Sequence, residues 1–175
     1  DEARALSLHL ENAAMAFSND LRVRWPLEEM LGAELVSAAA RRIAEHAGLA
    51  VKVDRIDDSI WLCIDSFGLL QVLSFLSTRL HDEYQIREVR LALVLDGRLA
   101  QLDLIWAGSF MNNETAMTWE MDSMNTAGEA TPLSVRDVVD RCNGEIWFQR
   151  ERVSHRAFFR IMLPIAEMPK DAARS

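Results

Sequence analysis

Four histidines, two cysteines and a run of carboxylates are the side chains of this 175-residue sequence that could hold a metal, accept a phosphoryl group or attack a substrate. Their spacing argues against most of that chemistry. No two of His9, His46, His81 and His155 stand at the short intervals of a metal site. His9 sits in Leu8-His9-Leu10-Glu11, where a histidine on an exposed helix face is the ordinary reading. His46 and His81 fall at predicted helix ends, where a cation suits the helix dipole, and His155 opens a predicted strand. Cys63 and Cys142 form no C-x-x-C pair. From Ser109 through Val135 the chain contains Glu114, Glu120, Asp122 and Glu129 and no lysine or arginine. A phosphate-rich ligand there meets like charge, costing on the order of 1–4 kcal/mol for each carboxylate a few ångströms away.

The elements that position these residues can be read from periodicity. Leu6, Leu10, Ala13, Ala14, Phe17 and Leu21 recur at helical spacing and form one apolar stripe. Trp25-Pro26 interrupts it, because proline disfavours helical geometry in the residue before it. A second helix is expected over 34–46, ended by Gly48, followed by strands over 51–56, 60–64, 88–95 and 99–106. Between the first and second pair of strands lies the apolar helix Asp65 to Leu80. Asp96-Gly97 marks a hairpin between the last two strands, with both residues expected at positive φ. Residues 109–131 show no clear period and read as one long loop, a functional lid by its length. In it, Met111, Met117, Met121 and Met124 either make a soft surface for a partner or anchor the loop on the core, the commoner use. A helix over 133–141 stopping at Asn143-Gly144 and strands over 145–149 and 155–163 close the domain.

Half of the sequence is hydrophobic, which supports a real core. A net charge of −8 and a pI near 5.0 exclude a basic nucleic-acid-binding surface. The absence of a signal peptide or a long apolar stretch predicts no membrane span and a reducing, cytoplasmic setting. The start at Asp1, within a helical pattern, is expected of a piece of a longer protein.

The segment DSFGLLQVLSFLSTRL, Asp65 to Leu80, resembles the helix that carries the magnesium-binding asparagines in histidine-kinase ATPase domains (the GHKL or Bergerat family), whose pattern is D-x-x-x-L-x-Q-V-L-x-N-L-L-x-N. Asp65, Leu69, Gln71, Val72, Leu73 and Leu76 match. The two asparagine positions are Phe75 and Arg79. LSVRDVVDRCNGEIWFQRER followed by HRAFFRIMLP is similar to the closing block of that family, and the resemblance covers about Leu27 to Ala166. It implies an α/β two-layer sandwich of a mixed sheet and helices, preceded by a dimerisation-type helix. The domain division is then 1–24 for a helical dimerisation or linker segment, 25–166 for the ATPase-like domain and 167–175 for a flexible tail.

The resemblance also implies where a nucleotide would be held. In place of the adenine-binding D-x-G-x-G stand Trp106, Gly108 and Phe110, one glycine surviving between two aromatic rings able to fill the base pocket. In place of the second glycine cluster stand Gly128, Glu129, Ala130, Thr131 and Pro132. A ring gives a hard cation no lone pair and a guanidinium repels one, so the site is read as degenerate at Phe75, Arg79, Trp106, Gly108, Phe110 and Glu129. No catalytic residue, metal or cofactor is expected.

A closer wording resembles the degenerate histidine-kinase-like region upstream of a DnaQ-type 3′–5′ exonuclease in bacterial fusion proteins. It rests on WPLEEMLGAELVSAAARRI, the IREVRLAL and LDLIWAGS hairpin and the closing block. The exonuclease's own D-x-E motif is absent from this sequence, so any nuclease activity would lie outside it. The function expected is a noncatalytic pseudo-kinase signalling and interaction module, a homodimer through Leu10, Phe17 and Leu21 that contacts other domains of the same protein. The alternatives are a divergent active histidine kinase using ATP and magnesium, and a domain that senses a nucleotide or other ligand without hydrolysing it.

Overall fold

The computed structural model describes residues 27–108, 111–126 and 129–166, the side chains of 125–126 and 129–132 aside. The stripe through Leu10, Phe17 and Leu21 lies outside the described residues, as do Phe110, Gly128 and the tail from 167.

The chain runs β1 (Glu28–Leu31), α1 (Gly32–His46), β2 (Ala50–Ile56), β3 (Trp61–Ile64), α2 (Ser66–Tyr84), β4 (Glu88–Asp96), β5 (Leu99–Ala107), α3 (Asn113–Met121), β6 (Ser123–Thr126), β7 (Glu129–Ser134), α4 (Val135–Arg141), β8 (Glu145–Glu151) and β9 (Arg156–Pro164). Five strands form a mixed sheet in the order β2-β4-β5-β9-β8. The β2–β4 pair is parallel, joined by the long crossover through β3 and α2, and the remaining pairs are antiparallel. Two small antiparallel pairs, β1–β3 and β6–β7, flank it.

Alternation decides which sheet face is covered. Leu91 and Leu93 of β4, Leu102 and Leu104 of β5 and Phe159 and Ile161 of β9 share one core with Leu35, Val36, Ala39 and Ile43 of α1 and Leu69, Val72, Leu73 and Leu76 of α2. The alternate residues Ala92, Ile105 and Phe158 form a separate small cluster on the other face. Beside it Arg160 makes a forked pair with Asp103, Nε to Oδ1 and Nη2 to Oδ2 at 2.9 Å each, and its guanidinium carbon lies 4.6 Å from the centre of the Phe158 ring. These hydrogen bonds raise the Arg160 pKa above its ordinary value, against the opposing effect of burial.

Four local expectations need correction. The β4–β5 turn is centred on Gly97-Arg98, because Asp96 still pairs with Leu99 and Gly97 alone takes positive φ, the pattern of a type II′ turn. The stretch 109–131 is not one long loop: it carries α3, β6 and the start of β7. Ser134 begins the next helix, later than expected, through a reciprocal capping box with Asp137 that leaves Leu133 in β7. His155 stands in the turn before β9 at φ 54 and does not open the strand. The stop at Asn143-Gly144 is as read. Asn143 takes the left-handed conformation, Gly144 N donates to Val139 O at 3.0 Å, and a Cβ on Gly144 would come within 2.5 Å of Met162 O.

Candidate functional site

α2 has buried residues on every side of its middle turns, and its last three turns face the lid formed by α3 and β6. Asn112 starts α3 by accepting from Thr115 N at 2.8 Å, and the helix turns Ala116, Trp119 and Glu120 inward. Trp119 is 1% exposed. Its ring stacks on Phe159 at 6.3 Å and lies 6.0 Å from Tyr84; Phe159 continues to Trp106 at 5.7 Å, and Trp106 to Phe148 at 6.0 Å. One aromatic chain thus runs from the lid into the sheet, and burial of Trp119 alone contributes about 3 kcal/mol.

Arg79 bridges α2 and the lid. Nη1 donates to Asp122 Oδ2 at 2.7 Å, and Nε and Nη2 both reach Glu83 Oε2 at 2.7 Å. The guanidinium carbon lies 5.0 Å from the centre of the Trp119 ring and 5.7 Å from that of Phe75. Burial works to lower the Arg79 pKa, but the hydrogen bonds and charges of Asp122 and Glu83 outweigh it and raise the value. Glu120, 3% exposed, receives Arg136 Nη2 at 2.6 Å and ties α3 to α4. Met111 and Met124 are buried, whereas Met117 and Met121 are exposed. The methionine cluster is therefore half anchor and half surface.

These contacts place the sequence-predicted positions. Phe75 and Arg79 meet, lining an open hollow of about 410 Å³ with Thr78, Asp82, Glu83, Asp122 and Ser123. Trp106 is 3% exposed, within the aromatic chain. Gly108, at φ 113, donates its N–H to His155 O at 2.6 Å, so the surviving glycine serves the turn between β5 and the lid. Glu129 pairs through its backbone with Thr126. Of the four lid carboxylates, Glu120 and Asp122 are neutralised by arginines outside the stretch whose charge was counted. The sequence reading missed Trp119, and it counted Asp122 only as a repelling charge and missed its pairing with Arg79. Asn112 as a cap, with Ala116 and Trp119 at helical spacing behind it, was the signal that could have found Trp119.

Magnesium chemistry needs oxygen ligands, and neither Phe75 nor Arg79 carries one on its side chain. Among the described residues no three His, Cys, Asp or Glu side chains converge as a metal site. No described helix is long and apolar enough to cross a membrane.

The fold is that of histidine-kinase ATPase domains. The ATP binding domain of PrrB from Mycobacterium tuberculosis superposes with a TM-score of 0.63 at 15% identity, covering 81% of this chain and 98% of that one. The histidine kinase domain of the E. coli osmosensor EnvZ gives 0.60 at 12% identity, covering 82% and 92%. The mycobacterial sensor histidine kinase MprB gives 0.56 at 15% identity, covering 81% and 100%. No protein-family model matches the sequence, and neither does any curated protein.

Proposed function

We propose that this domain is a noncatalytic, histidine-kinase-like signalling module that works by contact with other parts of a longer bacterial protein, without phosphotransfer. The observation that carries this reading is the Arg79 cluster. In the hollow beside α2, Phe75 and Arg79 stand at the two positions where the resemblance implies oxygen ligands for a magnesium-bound triphosphate, and the Arg79 guanidinium is already paired and lies over the Phe75 ring. Arg79, which lines it, is held by two carboxylates, and Asp82 adds a further negative charge to the rim. The excess of carboxylates over the paired Arg79 repels the phosphates.

Titration calorimetry with ATP and ADP, each with and without magnesium, tests the reading. The expected result is no saturable heat. A dissociation constant below about 100 µM, equivalent to more than roughly 5.5 kcal/mol, would overturn it, as would transfer of labelled γ-phosphate to any histidine. The effector implied by the sequence resemblance is a 3′–5′ exonuclease on the same polypeptide. Nuclease activity that is unchanged when residues 27–166 are deleted from such a protein would remove that part of the proposal.

A further inference from the structure

The nine-residue helix α3 is too short to be stable by itself. Only Ala116, Trp119 and Glu120 of it are buried, while Met117 and Met121 are 60% and 64% exposed. Its attachment therefore rests on one large ring and on the ion pairs at and just beyond its C-terminal end. On the α4 side, Glu120 meets Arg136. On the α2 side, Asp122 meets Arg79, whose guanidinium also covers the Trp119 ring. The two sides differ in access. In the first pair Arg136 is 42% exposed but Glu120 only 4%, whereas both members of the Arg79–Asp122 pair are accessible, at 27% and 43%, and line the open hollow. Ions reach the second pair and screen it.

We propose that Arg79 is a charge-operated latch: its pairing with Asp122 holds α3 closed over the aromatic chain, and its release frees α3 as a unit while the sheet stays folded. One side chain has two tasks here, since losing the guanidinium both unpairs Asp122 and uncovers one face of Trp119. The apolar contacts of Trp119 lie with Tyr84 and Phe159, at the boundary between lid and sheet, and none of the five-stranded pairing depends on them. The domain thereby holds a segment with two discrete arrangements, which a relay requires. The latch goes beyond the noncatalytic reading and does not depend on it, because it concerns lid opening whether or not a nucleotide ever binds.

Hydrogen exchange on the full 175-residue chain, wild type and Arg79→Met, at about 0.05 M and 0.5 M sodium chloride tests the latch. Amides of residues 113–121 are expected to exchange about tenfold faster in the variant at low salt, with those of β5 and β9 unchanged. Salt should accelerate the same segment in the wild type and leave the variant unmoved. Unchanged exchange over 113–121 in the variant, or an equal salt response in both proteins, overturns the proposal. If Arg79→Met speeds exchange everywhere, Asp122→Asn, which removes the charge at nearly constant volume, decides. Selective acceleration over 113–121 supports the latch, and uniform or absent acceleration ends it.

Discussion

The two ends of α2 are held in different ways. At its start, Asp65 accepts from Gly68 N at 3.0 Å, its own N–H points at Cys142 Sγ 3.5 Å away, and Arg141 Nη1 lies 3.9 Å from Oδ2. A Cβ on Gly68 would come within 2.9 Å of Val138 Cγ1, so the contact with α4 admits no larger residue without movement. At its other end Arg79, flanked by Phe75 and Glu83 of the same helix, meets the lid through the face of the Trp119 ring and an ion pair with Asp122 beside an open hollow. One end is dry and fixed by close approach; the other is wet and fixed by charge. The first is constrained by the fold itself, whereas residues at the second can change chemical type and leave the sheet and its register in place. A shared architecture at 15% identity is compatible with that division.

Three experiments sharpen or break this contrast. The largest effect belongs to the lid end: Trp119→Ala should cost about 3–5 kcal/mol of stability, because the ring is fully buried and its neighbours on α2 and β9 cannot close the gap. Urea unfolding measures it. A loss below about 1 kcal/mol would show that the lid end adds little and that charge alone holds it.

The next effect belongs to the dry end and appears with pH. Burial pushes the Cys142 thiol up to about 11 from an ordinary 9.0. The folded protein then keeps its proton between those values while the unfolded chain releases one, so the contribution is intact below pH 9 and is lost as pH rises toward 11. The loss amounts to about 2–3 kcal/mol. Denaturation at stepped alkaline pH should show this fall in the wild type and a reduced one in Cys142→Ala. Identical slopes would mean that the thiol is not sealed.

The smallest effect is that of the cap. Asp65→Ala should cost about 1–2 kcal/mol, and Asp65→Asn, which retains an acceptor for Gly68 N, less than half of that. Equal losses in the two variants would assign the role to the Arg141 charge and not to the cap.

The dry end was also the legible one. Asp65, Leu69, Val72 and Leu73 announce α2 because apolar spacing and a capping carboxylate act locally, and the closing block from Ser134 to Pro164 is fixed by its cap, its left-handed stop and its alternation. The lid was not legible. The inward side of α3 is only Ala116, Trp119 and a charged residue, Glu120, so its periodicity is weak and Glu120 reads as solvent-facing until Arg136 is brought beside it. For the same reason a charge count over 109–135 overstated the repulsion there: the partners of Glu120 and Asp122 come from α4 and from α2, 43 residues away in the case of Arg79. Phe75 and Arg79, four residues apart on α2, meet by helix geometry, but that the Arg79 guanidinium also lies over Trp119 is a tertiary fact with no local trace.

The order of strands in the sheet bears on how the chain comes together in time. β4–β5 and β8–β9 are hairpins, closed by short turns, while β5 and β9 join them along a full length from Leu99↔Pro164 to Ala107↔Arg156. Pairs across that seam, such as Asp103 and Arg160, stand 57 residues apart. Hairpins form in about 1–10 µs, whereas closing a seam between distant segments carries the loop entropy of everything between them. The docking of two preformed hairpins is therefore the slow event. Trp119 acquires its stacking partner Phe159 only when β9 has arrived, so the aromatic chain between lid and sheet closes after that seam.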